Sequence, residues 1–193
     1  ERRALLQRLK RPGLGDAKET MEAVRGFVSR VRKPLVIDAD AIGACGAKPK
    51  VLKGKTGVIT PHAGEFKRLT GRAVPAEDMD KRVELVEDAA SKLGLTVVLK
   101  GAIDVVSDGD YTRLNRTGNS AMTVGGTGDV LTGVIAGILA QKATPFAAGR
   151  IGAFTAGLAG DLAFEEKSYG LLATDVIEKV PLVIRRYVLG GGL

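Results

Sequence analysis

The chain has very few of the residues that carry redox, metal or aromatic-stacking chemistry. Its 193 residues include one cysteine, one histidine and no tryptophan, and aromatic side chains make up 4%. One cysteine cannot form an internal disulfide, and zinc sites built from several cysteines and histidines are excluded. No apolar run approaches the ~20 residues that a membrane-spanning helix needs. We therefore expect a protein of the reducing cytoplasm, without a membrane segment.

Small and aliphatic residues, in contrast, are abundant. Hydrophobic residues make up 45% of the chain, and 26 residues are glycine. This composition suffices for one sizeable α/β core, and the length is short for two, so we expect residues 1–193 to form a single domain.

The net charge of +7 is unevenly distributed along the chain. Ten of the 29 basic residues lie within the first 33 positions, against four of the 22 acidic residues. Such a segment either attracts phosphate-bearing partners or is a solvated surface. Because no aromatic RNA-binding pattern or recognition helix accompanies it, we do not expect a nucleic-acid partner.

The most distinctive stretch is GGTGDVLTG at residues 125–133, a glycine-rich turn that leads into a helix. The first amide groups of a helix lack internal partners and lie at the positive end of its dipole, so this turn predicts a binding site for an anion such as phosphate. Asp129 is unusual there, because a carboxylate repels an anion. It either caps the helix or accepts the proton of a hydroxyl that attacks the phosphate.

Polar residues also follow the predicted strands. Asp38 and Asp40 follow the short apolar run 35–37, and they can hold a metal, orient a hydroxyl or cap the next turn. In open parallel sheets the ligand side is at the carboxyl ends of the strands. The apolar run 95–99 ends at Lys100, which either reaches a nucleotide phosphate or is solvated.

The run 57–59 is followed by TPHAGE at residues 60–65. Threonine before proline predicts a helix with Thr60 as its N-cap and Pro61 as its first residue. This places His62 and Glu65 in the first turn, again at a strand end. A lone histidine is either a packed or surface residue or, in this position, part of the site.

The remaining elements follow from periodicity and turn residues. Residues 79–93 predict an amphipathic helix ended by Gly94, and Asp108-Gly109 predicts a hairpin within 102–115. The helix predicted from 129 to about 141 and the one that starts at Thr144-Pro145 are rich in glycine, which predicts a closely packed buried pair, with a membrane-type small-residue motif as the alternative. Together these elements predict an α/β fold with a mostly parallel sheet covered by helices on both faces.

Four of these motifs together resemble a known family. VIDADA (36–41), TPHAGEF (60–66), LKG (99–101) and GGTGDVLTG are similar to the NAD(P)H-hydrate dehydratase domain of the ribokinase-like superfamily, and the resemblance extends from about Pro12 to Arg186. It implies that the hydrated form of NADH or NADPH is dehydrated at the expense of ADP or ATP, with release of phosphate. It also implies magnesium and a homo-oligomer, most often a tetramer.

The resemblance implies roles for individual residues. Asp129 would be the base, and the amides of Gly126, Thr127 and Gly128 would stabilise negative charge on the transferred phosphoryl group. The residues implied to bind the hydrated cofactor are Gly15, His62, Asp38, Asp40 and Asp129. Those implied to bind the nucleotide are Lys100, Gly101, Ala102, Ile103, Asp104, Asn119 and Gly128. Glu65 would act through a magnesium ion.

The chain departs from the family pattern in three places. The opening strands of the family are absent and the chain starts at Glu1, so we expect that an upstream segment has been removed or is supplied by another chain. Residues 1–11 predict a short amphipathic helix or an arm. Ser120-Ala121 follows Asn119 where the family usually has Pro-Gly, and Asp104 stands where threonine is usual, so either a carboxylate faces phosphates or the strand bends away.

Two other functions remain open at this point. The same Asp129 and anion site would serve a superfamily kinase that phosphorylates a small alcohol such as a vitamin precursor. A truncated, inactive module that binds a partner through its basic segment is the second alternative.

Overall fold

The computed structural model describes Gly15 and residues 17–188. The predicted arm at residues 1–11 lies outside the described residues. The helices are α1 (Lys18–Arg30), α2 (Asp40–Gly46), α3 (Ala63–Thr70), α4 (Met79–Leu93), α5 (Thr127–Ala140), α6 (Pro145–Lys167) and α7 (Ala173–Val183). None of the helices in these residues combines the length and the apolar character needed to cross a bilayer.

Five strands form one sheet in the order in which they occur along the chain. They are β1 (Leu35–Ile37), β2 (Gly57–Ile59), β3 (Thr96–Leu99), β4 (Asp104–Ser107) and β5 (Thr112–Asn115). The pairings of β2 with β1 and β3 are parallel, and those of β4 with β3 and β5 are antiparallel. The sheet is therefore mixed, because the predicted hairpin at Asp108-Gly109 adds antiparallel strands to the parallel ones.

Helices cover both faces of the sheet, which confirms this part of the predicted α/β fold. Alternate residues of a strand point to opposite faces. Val97 and Leu99 of β3 belong to the core shared with α1, α2, α3 and α4. Val98 between them packs with α5 and α6. A third apolar cluster joins α7 to α5 and α6.

The glycines of α5 and α6 differ in their surroundings. The α6 glycines at 149, 152, 157 and 160 are buried, and at Gly157 a Cβ would collide with the backbone of Thr117. On α5, however, Gly133 and Gly137 are exposed and nothing lies within 4 Å of a Cβ placed there. The predicted close packing of α5 against α6 is confirmed at Gly152, where a Cβ would collide with Cγ1 of Ile135 on α5, but the α5 glycines take no part in this contact.

Two helices begin at different residues from those predicted. Helix α3 begins at Ala63 with His62 as its N-cap. Thr60 cannot cap it, because Thr60 is fully buried and its hydroxyl donates to the carbonyl of Ile37 at 3.3 Å. Helix α5 begins at Thr127, with Gly126 as its N-cap in the left-handed region at φ 98°. Asp129 is consequently the third residue of α5.

Candidate functional site

The carboxyl ends of β1, β2 and β3 bring three of the predicted motifs to one rim. The backbone N–H of Lys100 donates to the carbonyl of Pro61 at 2.8 Å, and Lys100 pairs with His62 in a parallel bridge. The TPHAGEF segment therefore lies directly beside the lysine that follows β3. This follows from the parallel register of β2 and β3, in which both strands end at the same edge.

A buried carboxylate holds the Lys100 side chain. The Nζ of Lys100 lies 2.9 Å from Oδ1 of Asp38, and the hydroxyl of Thr132 donates to Oδ2 of Asp38 at 2.9 Å. Burial alone would raise the pKa of Asp38. The hydrogen bond and charge of Lys100, with the hydroxyls of Thr60 and Thr132, outweigh it and hold the pKa below its ordinary value. Asp38 is thus ionised at neutral pH.

Glu65 supplies a second carboxylate near the same ammonium group. Its side chain is 8% exposed, and Oε2 lies 3.8 Å from Nζ of Lys100. The same oxygen accepts the backbone N–H of His62 at 2.8 Å, as one half of a capping box. The Lys100 ammonium therefore lies near both Asp38 and Glu65, and the three groups together carry one net negative charge.

His62 has a structural role that its position in the sequence does not reveal. Its Nδ1 accepts the backbone N–H groups of Gly64 at 3.0 Å and Glu65 at 3.3 Å. A nitrogen that accepts two hydrogen bonds carries no proton, so the network assigns the proton of the neutral ring to Nε2. The side chain is 55% exposed, and it lines the cleft described below.

The turn at residues 125–128 presents free amide groups beside this cluster. The first hydrogen bond within α5 runs from Val130 N–H to Gly126 C=O at 3.1 Å. The N–H groups of Thr127, Gly128 and Asp129 precede it, and no described residue accepts them. A Cβ on Gly128 would lie 3.5 Å from Nζ of Lys100, so these amides adjoin the lysine. The Thr127 hydroxyl donates to Met122 C=O at 2.8 Å and fixes the turn.

The carboxylate of Asp129 does not cap α5. The N-cap is Gly126, which has no side chain to accept an amide N–H. Asp129 is the third residue of the helix, still in its first turn, and is exposed. None of the side chains and amides that the structure describes donates to its carboxylate. The capping interpretation of Asp129 is therefore excluded, and its carboxylate is available to a ligand.

Asp40 joins the rim to Gly15. Its Oδ2 accepts the backbone N–H of Gly15 at 2.9 Å, which brings together two residues that were predicted to bind the hydrated cofactor. Between the two aspartates Ala39 adopts φ 52° and ψ −131°, a conformation that residues with a Cβ rarely adopt. This backbone conformation is strained, and strain of this kind often marks a functional site.

A cleft of about 640 Å³ opens between the loops after β3 and β5 and the start of α5. The predicted residues that line it are His62, Lys100, Gly101, Ala102, Asp104, Asn119, Thr127 and Gly128. The other predicted residues do not line it; they are Gly15, Asp38, Asp40, Glu65, Ile103, Gly126 and Asp129. Lining residues that were not predicted are Thr117, Gly118, Ser120, Met122, Thr123, Leu131, Ala153, Ala156 and Gly157.

Three of the residues that were missed lie on α6 and form a wall of the cleft, and five lie in the segment 117–123, which follows β5 and bonds to α6. Asp161 of α6 accepts the backbone N–H of Gly118 at 2.9 Å and the Nδ2 group of Asn119 at 2.8 Å. The buried Gly157 leaves room for Thr117 on the same helix face. The pattern of glycines in α6 was the signal for this wall, and it predicts close packing without naming the partner.

Asp104 does not point its carboxylate freely into the cleft. Oδ1 accepts the backbone N–H of Gly101 at 3.0 Å, and Oδ2 accepts Nδ2 of Asn115 at 3.0 Å. Burial raises the pKa of Asp104 despite these bonds and despite the positive charges of Lys100 and Arg82. The carboxylate is thus used within the protein, in the loop predicted to bind nucleotide.

The rim does not form a metal site by itself. Among the described residues, no three side chains of His, Cys, Asp or Glu come together closely enough to hold an ion. Magnesium, however, often keeps several waters and binds one or two carboxylates together with substrate phosphates. Asp38 and Glu65 fit this second arrangement. Both carboxylates adjoin Lys100, which lies beside the turn at residues 125–128, called the anion turn below.

Comparison with known proteins identifies the class first. The chain is similar in structure to a ribokinase-like superfamily protein from Enterococcus faecalis, with a TM-score of 0.75 and 29% identity over 92% of this chain and 62% of the other. The fold is therefore that of the ribokinase-like superfamily, as predicted. The model of the NAD(P)H-hydrate dehydratase family matches residues 11–182, and the chain belongs to that family.

Individual relatives agree with this assignment. The chain is 47% identical over 182 residues to the bifunctional NAD(P)H-hydrate repair enzyme Nnr of Pyrobaculum aerophilum. It is also similar to an ADP/ATP-dependent NAD(P)H-hydrate dehydratase from Bacillus subtilis, co-crystallised with ATP and Mg²⁺, at 34% identity and a TM-score of 0.70 over 86% of this chain. The match spans 91% of this chain but 35% of the Pyrobaculum protein, and 62% of the Bacillus one.

Proposed function

We propose that this chain is a nucleotide-dependent NAD(P)H-hydrate dehydratase, which converts hydrated NADH or NADPH back to the intact cofactor. The observation that carries the proposal is the position of Asp129. Its carboxylate is exposed in the first turn of α5, caps no amide of that helix and lies beside free amide groups. A helix start with free amides suits the phosphates of ADP or ATP. A carboxylate next to them suits the removal of a proton from an attacking hydroxyl.

The reaction divides into two steps. Asp129 accepts the proton of the hydroxyl on the reduced nicotinamide ring, and the oxygen bonds to the terminal phosphorus of ADP or ATP, whose phosphoanhydride bond breaks to leave AMP or ADP. The lone pair of the ring nitrogen then expels phosphate, and loss of a proton from the neighbouring carbon restores the double bond. Hydroxide is a poor leaving group and phosphate a good one, which explains why a nucleotide is consumed.

The anion turn stabilises the charge of the transferred group. The amides of Gly126, Thr127 and Gly128 donate to the phosphoryl oxygens as negative charge develops. Lys100 adjoins Gly128 and supplies a positive charge that Asp38 holds in place. If magnesium is bound with the nucleotide, Glu65 would hold it, and the ion would neutralise further charge on the phosphates.

The remaining predicted residues bind the two substrates. Gly101, Ala102, Ile103 and Asp104, with Lys100, Asn119 and Gly128, form the nucleotide side. The hydrated cofactor contacts His62 and Gly15, whose backbone N–H donates to Asp40. Asp38 and Asp40 supply polar groups on this side, and Asp129 lies between the two substrates.

The test is the substitution Asp129→Asn, which keeps the shape of the side chain and removes the base. Release of NADH from its hydrate with ADP or ATP is followed by absorbance. We expect the turnover of the variant to fall about 100-fold or more, while nucleotide still raises the melting temperature. The matched control is Asp175→Asn, a change at the same helix position of α7. Near-normal turnover of the Asp129 variant would refute the assignment of the base.

The proposal extends to organisation and location. Residues 1–193 act as one ribokinase-like dehydratase domain in the cytoplasm. They work in a homo-oligomer, most simply a tetramer, or beside a chain that supplies further strands, and they have no nucleic-acid partner.

A further inference from the structure

Two loops form the nucleotide side of the cleft, and they come from different parts of the fold. The first is the loop from Lys100 to Asp104, between β3 and β4. The second, from Thr117 to Ser120, follows β5 and lies against α6. A ligand binds between the two loops more tightly if their separation is fixed in advance, because ordering loops on binding costs free energy.

One cross-strand pair connects the two loops. Asp104 is the first residue of β4 and Asn115 the last of β5, and they face each other in the register of the hairpin. The Asp104 carboxylate accepts the N–H of Gly101 at 3.0 Å and the Nδ2 group of Asn115 at 3.0 Å. It therefore closes the first loop on itself and binds it to β5.

Asn115 carries the connection into the second loop. Its Oδ1 accepts the Thr117 hydroxyl at 2.9 Å, and its Nδ2 group also approaches the carbonyls of Thr117 at 3.4 Å and Ala153 at 3.3 Å. The Phe154 carbonyl lies 3.2 Å from the same hydroxyl and competes for its one proton, so the contact of the Asn115 amide with the Ala153 carbonyl is the link that reaches α6. A continuous chain of hydrogen bonds thus runs from Gly101 through Asp104 and Asn115 to the wall of the cleft on α6.

The chain holds this carboxylate in place at a cost. Burial raises the pKa of Asp104, so its ionised form is less stable here than in water. The charged groups that face it are Lys100 and Arg82, and neither is within ion-pair distance, since Lys100 bonds to Asp38 and Arg82 to the carbonyl of Pro75. Position 104 needs a side chain with two acceptor oxygens, because each oxygen of Asp104 accepts a hydrogen bond.

We propose that Asp104 is a positioning residue for the nucleotide, which fixes the two loops of the cleft through Gly101 and Asn115. This rests on the proposed function, in which the cleft binds ADP or ATP. The two donors bond to different oxygens of Asp104, and asparagine replaces one of these oxygens with an NH2 group, so at the same side-chain position it loses either the Gly101 or the Asn115 bond. Its amide would then face the Nδ2 group of Asn115, donor against donor.

The experiment measures ADP binding by calorimetry for the wild type, Asp104→Asn and the double variant Asp104→Asn/Asn115→Asp. We expect the Kd of the single variant to rise about tenfold, as for the loss of one hydrogen bond to a charged group. The double variant restores a donor–acceptor pair across the strands, and we expect it to recover part of that loss. We expect only a small change in the melting temperature, because relief of the burial cost of the carboxylate offsets the lost hydrogen bond.

The matched control is Asp108→Asn, at the other end of the same hairpin, where the carboxylate accepts the N–H of Tyr111 at 2.8 Å outside the cleft. We expect it to leave the Kd unchanged. Equal ADP affinity of the wild type and Asp104→Asn would overturn the positioning role alone. If the wild type binds neither ADP nor ATP, the proposed function is overturned and this role with it. If Asp104→Asn does not fold, Asn115→Asp alone breaks the same pair and has to weaken ADP binding.

Discussion

Lys100 and Asp38 form an ion pair of 2.9 Å that connects the carboxyl ends of β3 and β1. Both side chains are largely buried, and Thr132 of α5 donates to the second oxygen of the same carboxylate. One aspartate therefore joins two strands of the sheet and the helix that carries the anion turn. Stability and the position of the lysine depend on the same contact.

The ion pair predicts a defined pH dependence of stability. The pKa of Asp38 is lower in the folded than in the unfolded chain, so its contribution is present above the ordinary pKa of about 4 and is lost as the pH falls through the folded value. We expect Asp38→Asn to lower the free energy of unfolding by about 2 kcal/mol at pH 7. Urea titrations from pH 7 to pH 2 check this, and a difference that persists at the acid end would contradict it.

Two glycines on neighbouring helices are expected to respond oppositely to alanine. At Gly157 the added Cβ would collide with backbone atoms of Thr117, which cannot move without moving the cleft wall, so Gly157→Ala should destabilise the fold by about 2 kcal/mol and weaken nucleotide binding. At Gly133 the Cβ meets nothing within 4 Å, and Gly133→Ala should stabilise the helix by about 0.5–1 kcal/mol. Chemical denaturation of both variants measures the contrast, and equal effects would contradict it.

The sequence predicted β1, β2, the hairpin and α4 because each depends on local signals, namely apolar runs, turn residues and a regular apolar spacing. It also brought Asp38, His62 and Lys100 to one rim, since parallel strands end at the same edge. The rest depends on how distant elements meet. Thr132 bonds to Asp38 across 94 positions, a contact set by the rotation of α5 about its axis.

Helix starts and strained residues were beyond local patterns for a related reason. Thr60 and Pro61 have the composition of a helix start, but β1 takes the Thr60 hydroxyl and leaves the cap to His62. The backbone of Ala39 lies between two anchored side chains, because Asp38 bonds to Lys100 and Asp40 to Gly15. Tertiary contacts override local preference at both places.

The strain at Ala39 predicts a gain in stability on substitution by glycine. A backbone held at φ 52° costs of order 1–3 kcal/mol, whereas glycine loses about 0.5–1 kcal/mol more entropy on folding than alanine. We expect Ala39→Gly to raise the free energy of unfolding by about 1 kcal/mol. Ala41→Gly, inside α2, is the control and should lower it by a similar amount. A loss of stability for Ala39→Gly would show that this backbone is unstrained.

Nucleotide specificity separates a dehydratase from a kinase on the same fold. We expect ADP or ATP to raise the melting temperature, because a ligand of the native state stabilises it by mass action. Pyridoxine, thiazole alcohols and ribose should give no phosphorylated product, whereas hydrated NADH should give NADH and free phosphate. Phosphate release and mass spectrometry of the products test this. Stoichiometric accumulation of a phosphorylated alcohol would replace the proposed function with that of a kinase.

The edge of the sheet predicts an assembly. Strand β1 ends the sheet, and within the described residues only β2 pairs with it, so its other side has no strand partner there. Helix α5 also exposes the small residues Gly133, Ala136, Gly137 and Ala140, which form a flat surface that allows close packing. We expect sedimentation at micromolar concentration to give a species well above the 20.2 kDa of one chain.

Gly137→Glu places a charge on the α5 surface and should lower that mass if α5 forms the contact. Gly43→Glu, also a helical glycine with open space around it, is the control. A stable monomer that does not aggregate would contradict the assembly, and an oligomer insensitive to Gly137→Glu would assign the contact to the β1 edge.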